Sequence, residues 1–329
     1  MQATEIFERF GELNIVVIGD VMIDRYLSGT VERISPEAPV PVIQLQEEDN
    51  RLGGAGNVAL NLQALGCTPH LLSVVGQDAN GELLRQLLPR EGISDRYLWS
   101  SPTRQTTVKT RVLAQHQQLL RADREDQHPL DPAEQQGLLT KLRELLDSKD
   151  IDLILFQDYN KGVLSKVIIR EVILEALRRD IPTVVDPKYD NFWAYKHVTL
   201  FKPNLREIQQ QLGTKLKPEL GPLLQASREI NRKLGNEMTI ITLSDKGLFL
   251  QYQDQAEIIP TQTRTIADVC GAGDTVISVA AAALALGASP REIAQLANLA
   301  GGQVCEKVGV VPVNRNQLLQ EYERLLAVS

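Results

Sequence analysis

The chain alternates short apolar runs with helical patterns, and few folds accommodate that alternation. The apolar runs are Asn14 to Val21 (NIVVIGDV), HLLSVVG ending at Gly76, IDLILF ending at Phe156, IPTVVD ending at Asp186, HVTLFK ending at Lys202 and MTIITL ending at Leu243. Each is short, aliphatic and closed by a turn or polar signal, the pattern of a strand buried on both faces. Helical patterns fill the gaps: Gly56 to Leu65, Asn80 to Leu88, Pro132 to Leu146, Ser165 to Arg178 and Glu219 to Leu234. This predicts an α/β fold with a mainly parallel central sheet, helices on both faces and right-handed crossovers. The C-terminal part reads as helices over Gly273 to Leu286, Pro290 to Lys307 and Arg315 to Leu326.

Two segments break the rhythm. Arg25 to Asp49 holds Pro36, Pro39 and Pro41 with the alternating PVIQLQ, and Tyr97 to Asp123 holds the alternating VKTRVLAQHQQLLRAD. Both read as half-exposed antiparallel strands. They predict a small β-lid outside the main sheet, built from insertions at about 25–49 and 97–123. No linker, low-complexity tract or internal repeat divides the chain, so residues 1–329 are expected to form a single domain.

The bulk composition excludes several classes. A net charge of −7 argues against a basic nucleic-acid surface, though not against a local cationic pocket. Cys67, Cys270 and Cys305 form no CxxC pair, and His70, His116, His128 and His197 lack metal-ligand spacing. The start has no basic segment followed by an apolar run, as a signal peptide would. Val276 to Ala288 is too short and alanine-rich to span a bilayer. A cytoplasmic protein without membrane or nucleic-acid partners is expected.

The strongest local signal is Asp268-Val-Cys-Gly-Ala-Gly-Asp-Thr-Val276. Gly271, Ala272 and Gly273 precede a long helix with Asp274 in its first turn. Bare N–H groups at a helix start attract anions, and small residues let phosphate approach the backbone. A carboxylate beside them can take a proton from an attacking hydroxyl. The plainer alternative is a glycine turn whose Asp stabilises the helix start. A second cluster, Gly53-Gly-Ala-Gly-Asn57-Val-Ala59, formally matches the dinucleotide pattern GxGxxA. The polar stretch Glu47 to Arg51 before it is not expected to form the required strand, which disfavours a dehydrogenase. The P-loop pattern is absent.

Polar residues recur just after the expected strands: Asp20 and Asp24; Asp158 and Lys161 in QDYNKG; Asp186 and Lys188 in VVDPK; Asn204 and Glu207 in KPNLRE; Thr242 and Ser244 in TLSDKG. In an open parallel sheet the ligand crevice lies at that edge. Any one of them has a bland reading, such as a helix cap or a solvated lysine. Together they favour an anionic, hydroxyl-rich ligand.

GGAGNVA, PNLRE, TLSDKG and DVCGAGDTV, in this order and spacing, resemble the ribokinase-like (PfkB) carbohydrate kinases across essentially the whole chain. GDVMIDRY, ERISPEAPVPV, RVLAQHQQLLRAD, DYNKG and VDPK resemble its heptose-phosphate kinase branch. The resemblance implies a ribokinase-like fold, ATP with Mg2+ as cofactors, a phosphosugar substrate and transfer to an anomeric hydroxyl. It implies Asp274 as catalytic base and Gly271, Ala272 and Gly273 as anion hole. It implies Asp24, Gly54 and Asn57 as sugar binders. Asn204, Glu207, Thr242, Ser244 and Gly247 are implied on the nucleotide and magnesium side, and Asp268 at a monovalent-cation (K+) site. A phosphate on the sugar needs cations of its own, for which Lys161, Lys188 and Arg33 are candidates. Lids in this family often pair across a homodimer. Cys270 stands where the family often has Thr, and GGAGN is one residue shorter than the commoner GGxxxN. The branch is often fused to a nucleotidyltransferase with an HxGH motif. This sequence has no such motif, so the kinase activity alone is expected. The alternatives are a kinase of fructose or a fructose phosphate, or a sugar-binding regulator without turnover.

Overall fold

A computed structural model describes residues 2–114 and 117–328. Helix α1 (Ala3–Arg9) leads into β1 (Asn14–Gly19), followed by β2 (Val21–Ile34), β3 (Pro41–Gly54), α2 (Ala55–Leu65) and β4 (Thr68–Gly76). Next come α3 (Ala79–Arg90), β5 (Leu98–Ser101), β6 (Val108–Ala114), β7 (Gln117–Arg124), α4 (Pro132–Ser148) and β8 (Leu153–Gln157). Then follow α5 (Lys166–Arg178), β9 (Thr183–Asp186), β10 (Leu200–Phe201), α6 (Leu205–Leu212), α7 (Leu220–Leu234) and β11 (Met238–Thr242). The last elements are β12 (Leu248–Tyr252), β13 (Gln255–Ile259), α8 (Ala272–Ala285), α9 (Pro290–Val304) and α10 (Arg315–Val328).

Nine strands form one sheet in the order β13-β12-β11-β10-β9-β8-β1-β4-β5. From β11 to β5 all neighbours run parallel. The alternating side chains of β1 show why its run is apolar throughout. Ile15 and Val17 enter the core beneath α2, α8 and α9, while Val16 and Ile18 enter the core beneath α4, α5 and α7. Each such side chain contributes roughly 1.5–3 kcal/mol on burial. Capping boxes start α4 (Asp131 with Glu134) and α9 (Ser289 with Glu292), each followed by proline at the first helical position. No helix among the described residues is long and apolar enough to cross a membrane.

Four strands form a second sheet in the order β3-β2-β6-β7. It departs from the expected lid in three ways. The pair β2–β6 is parallel, so the sheet is mixed rather than antiparallel. Leu98–Ser101, inside the second insertion by pattern, instead extends the main sheet beside β4. Leu98 packs into one core and Trp99 against the other, so this short run is covered on both sides. The lid strands also reach further than expected, since β2 begins at Val21 and β3 runs on to Gly54. Glu47 to Arg51 is therefore strand, contrary to the sequence expectation. It is polar because β3 is a half-exposed lid strand paired antiparallel with β2, not the buried first strand of a dinucleotide fold. Gln115 and His116, inside the second expected insertion, lie outside the described residues. The hairpin β12–β13 and helix α1 carry no strong pattern signal and were not expected. Helix α9 stops at Val304, with turns over the remaining residues to Lys307.

Candidate active site

Strand order reverses around β1, whose neighbours are β4 and β8, and the crevice opens at the C-terminal ends there. Asp20, just past β1, organises the loop after β8. Its carboxylate accepts the backbone N–H of Tyr159 (2.8 Å), Lys161 (3.1 Å) and Val163 (3.1 Å). Asp158 accepts Tyr195 Oη–H (2.6 Å), Asn191 Nδ2–H (3.1 Å) and Asn160 N–H (2.8 Å). Burial, then the neighbouring charge of Asp158, pushes Asp20 up to about 6. Both acids thus shape a loop that presents Tyr159 and Lys161, and neither points at the cleft as a free ligand.

Asp274, in the first turn of α8, is 3% exposed. Its Oδ1 accepts Tyr159 Oη–H (2.7 Å) and Gln157 Nε2–H (3.0 Å), while Oδ2 accepts Asn57 Nδ2–H (2.8 Å). A carboxylate offers about four acceptor directions, so the unused one lies on Oδ2. Burial raises this carboxyl to about 6, against the pull of the Asn57 and Tyr159 hydrogen bonds. A carboxylate so tuned is ionised at neutral pH yet basic enough to take a proton.

Gly271 caps α8 in the left-handed region (φ 77°), and a Cβ there would stand 2.9 Å from Asn57 Nδ2. Only glycine lets the loop turn there and lets Asn57 reach Asp274. Among the described residues the N–H groups of Gly273 and Asp274 have no acceptor, as expected at a helix start. Two cations stand close by. Lys202 pairs with Asp186 (3.0 Å), both buried, just below Gly273. Lys188 pairs with Glu207 (2.7 Å). Burial disfavours the Lys188 ammonium, but Asp186, Glu207 and then Asp274 outweigh it and hold its pKa above the usual lysine value. Bare N–H groups beside two ammonium groups fit the phosphates of a nucleotide.

Asp24 faces the cleft from β2 and is paired with Arg111 of β6. Gly53 permits this, since a Cβ would come within 2.2 Å of Asp24 Oδ2. The Tyr26 ring lies between the Arg51 and Arg111 guanidiniums at 4.9 and 5.2 Å. Its hydroxyl accepts Val310 N–H (3.2 Å), and Arg51 donates to Val310 O (3.1 Å), so the lid grips the segment after α9. Asp268 ties that segment to the loop before α8 by accepting Cys270 N–H and Gly309 N–H, each at 3.0 Å. Burial opposes ionisation of Asp268, but these N–H bonds hold its carboxyl below the ordinary value.

Asn204 and Glu207 form the capping box of α6, and Glu207 uses its other oxygen for Lys188. Thr242 bridges Asn204 from β11. Ser244 (φ 59°) and Gly247 (φ 90°) form the turn beyond it. Gly54 ends β3 at the start of α2. Lys161 is paired with Glu125 (2.7 Å). Arg33 is exposed and lies nine positions along β2 from Asp24, about 30 Å on an extended strand. It is not brought to the cleft of its own chain. Gln157, Tyr159, Lys109, Arg111 and Lys202 join the site without having been singled out. Gln157 and Tyr159 sit inside QDYNKG, and their polarity at a strand end was the available signal.

This geometry is that of a sugar kinase. A model of the pfkB family carbohydrate kinases matches residues 12–316, and the chain belongs to that family. Among curated relatives, the bifunctional protein HldE of Paramagnetospirillum magneticum is 40% identical over 97% of this chain. That of Nitratiruptor sp. is 41% identical over 94%. The chain spans 65% of the length of each. Among solved structures, phosphofructokinase-2 from Escherichia coli in complex with potassium superposes with a TM-score of 0.79 at 19% identity, covering 95% of this chain and 99% of that one. Arabidopsis thaliana ribokinase complexed with ribose and ATP gives 0.70 at 19% identity, covering 94% and 99%. The fold is ribokinase-like.

Proposed function

We propose that this chain transfers the γ-phosphoryl group of ATP to the anomeric hydroxyl of D-glycero-β-D-manno-heptose 7-phosphate, giving the 1,7-bisphosphate. The observation that carries the reading is the buried Asp274 carboxylate, held by Asn57, Gln157 and Tyr159 with one acceptor direction left on Oδ2. Oδ2 takes the proton as the anomeric oxygen attacks, in reach of the Gly271–Gly273 turn, whose Gly273 N–H and the Asp274 N–H after it are bare among the described residues while that of Ala272 is taken by Val269 O (3.3 Å). Lys188 and Lys202 offset charge near the moving phosphoryl group. Asn204 and Glu207 would order the phosphates and magnesium through water, and Thr242, Ser244 and Gly247 would lie along the nucleotide. Bound magnesium would supply positive charge to the phosphates. Asp24, Gly54 and Asn57 would hold sugar hydroxyls, and the lid would exclude water as a competing acceptor. Relatives named HldE at about 40% identity support the heptose branch. A coupled ADP assay across heptose 7-phosphate, heptose, fructose and fructose 6-phosphate tests it. The highest kcat/KM is expected on the heptose phosphate, and preference for a fructose substrate overturns the assignment.

We also infer a homodimer formed through the lid. Ile34, Val40, Leu45, Leu119 and Leu120 are exposed large apolar residues on or beside its strands. An apolar group of this kind on a small sheet favours a second copy as cover. Sedimentation should give twice the chain mass, and Leu120→Lys should shift it toward monomer. A monomeric parent protein at micromolar concentration removes the inference.

A further inference from the structure

Register places one row of charged side chains across the face of the lid that looks into the cleft. Asp24 of β2 is paired with Arg51 of β3 and Lys109 of β6, and Lys109 with Asp123 of β7. Paired residues share a face, and so do residues two apart on one strand. Tyr26, Asp49, Arg111 and Arg121 therefore make a second row on the same face. Together the rows hold four cations and three carboxylates. Arg111 pairs with Asp24, Arg51 with Asp49 and Arg121 with Asp123. The carboxylates are then used up, and Lys109 has no ion-pair partner among the described residues.

Lys109 is also well placed. Its Nζ lies 5.9 Å from the centre of the Tyr159 ring, whose hydroxyl rests on Asp274. Burial, then the neighbouring Lys161 charge, makes its ammonium less favourable than in water. An arriving anion offsets both effects by adding a close opposite charge. Lys188 stands 5.4 Å from the same ring, but its charge is answered by Glu207 and Asp186. Lys161 is likewise answered by Glu125.

Resting on the kinase reading, we propose that Lys109, with Lys161 beside it, forms the subsite for the phosphate that the sugar already carries. A sugar phosphate monoester is largely a dianion at neutral pH. A lysine without a close ion pair on the lid side of the cleft matches it, with Asp123 and Glu125 acting on it only from a distance. Substrate charge would then draw the lid onto the sugar, so the lid closes most readily on phosphorylated acceptors.

The experiment compares kcat/KM for heptose 7-phosphate and for the same heptose without phosphate, in the parent protein, Lys109→Met and Lys109→Arg. Lys109→Met should lower the ratio of the two by about 10- to 100-fold, the size of one charge-assisted contact. Lys109→Arg should restore most of it, and KM for ATP should hold. Equal losses on both sugars, or a loss carried by KM for ATP, overturn the subsite. The kinase reading fails differently, as absence of ADP from the parent protein with every sugar. In that event, titration calorimetry of heptose 7-phosphate against parent and Lys109→Met still decides the subsite, and equal affinities reject it.

Discussion

Asn57 donates its side-chain N–H to Oδ2 of Asp274 at 2.8 Å across 217 residues of sequence. Asn61 decides which end of that amide points there. Asn61 Nδ2 donates to Asn57 Oδ1 (3.2 Å) and to Asn57 O (2.9 Å), while its own Oδ1 accepts Thr275 Oγ1–H and Val313 N–H, each at 3.0 Å. A flipped Asn57 would set N–H against N–H at Asn61 and oxygen against oxygen at Asp274. The proposed base is thus held by a buried network.

Asp274→Asn should cut kcat by about 10²–10⁴, the usual weight of a general base, with sugar affinity nearly kept. Stability has two opposing terms. Removing a carboxylate held near 6 instead of 3.8 relieves up to about 3 kcal/mol above neutral pH. The new amide, however, sets N–H against Asn57, costing about 1–3 kcal/mol. Tm by calorimetry should therefore move little. The pH trend is the sharper reading. Folded Asp274 holds its proton more tightly than unfolded, so the parent loses stability as pH rises from about 4 to about 6. The variant lacks that loss, and its stability relative to the parent should climb across this window and level above it. A flat difference would mean that Asp274 does not titrate in the fold.

The same carboxyl should set the acid limb of kcat/KM. As the proposed base, Asp274 would act only when ionised, so activity should rise with pH through about 6. Asn57 stabilises the ionised form by its hydrogen bond, so Asn57→Ala should move the limb to higher pH besides lowering kcat. Tyr159→Phe removes another donor and should move it the same way. A limb that stays fixed in both variants would assign the titration elsewhere.

These residues were unequally legible in the sequence. Asp274, Asn57 and the glycines announce themselves because small residues and a carboxylate at a helix start are rare together. The parallel sheet was legible because strands buried on both faces must be continuously apolar, as β1 is. Asn61 was not, since a polar residue within a helical pattern usually faces water, and only the fold buries it against Thr275 and Val313. Lys188 and Lys161 were legible as strand-end lysines but not in their ionic pairing, which depends on Glu207 and Glu125 arriving from other elements. The parallel pairing of β2 with β6 was hidden because alternation reports a half-buried strand, not its neighbour's direction.

Asp268 joins the loop before α8 to the segment that Tyr26 and Arg51 hold against the lid. A monovalent cation bound there would stiffen the loop and add positive field near the phosphoryl group. Activity should rise when potassium replaces tetramethylammonium at constant ionic strength, and Asp268→Ala should abolish the response. Activity indifferent to potassium would leave Asp268 as a loop tie alone.

Lys188 offers the contrast to Lys109. Glu207 holds its Nζ at 2.7 Å, and Asp186 and Asp274 add to the negative field around it. It therefore stands with the α6 capping box and the helix start of α8, which the proposed reaction would place on the side where the phosphoryl group leaves the nucleotide. Lys188→Met removes a positive charge that favours ionised Asp274 and leaves Glu207 without its cation. Three consequences follow from that one loss. KM for ATP should rise about tenfold or more, the scale of one charge-assisted contact. The acid limb should move to higher pH, since Lys188 helps keep Asp274 ionised. The ratio of kcat/KM between phosphorylated and unphosphorylated heptose should hold if the sugar's own phosphate rests on Lys109 rather than on this lysine. A collapse of that ratio with KM for ATP intact would move the sugar phosphate to Lys188 and away from the lid.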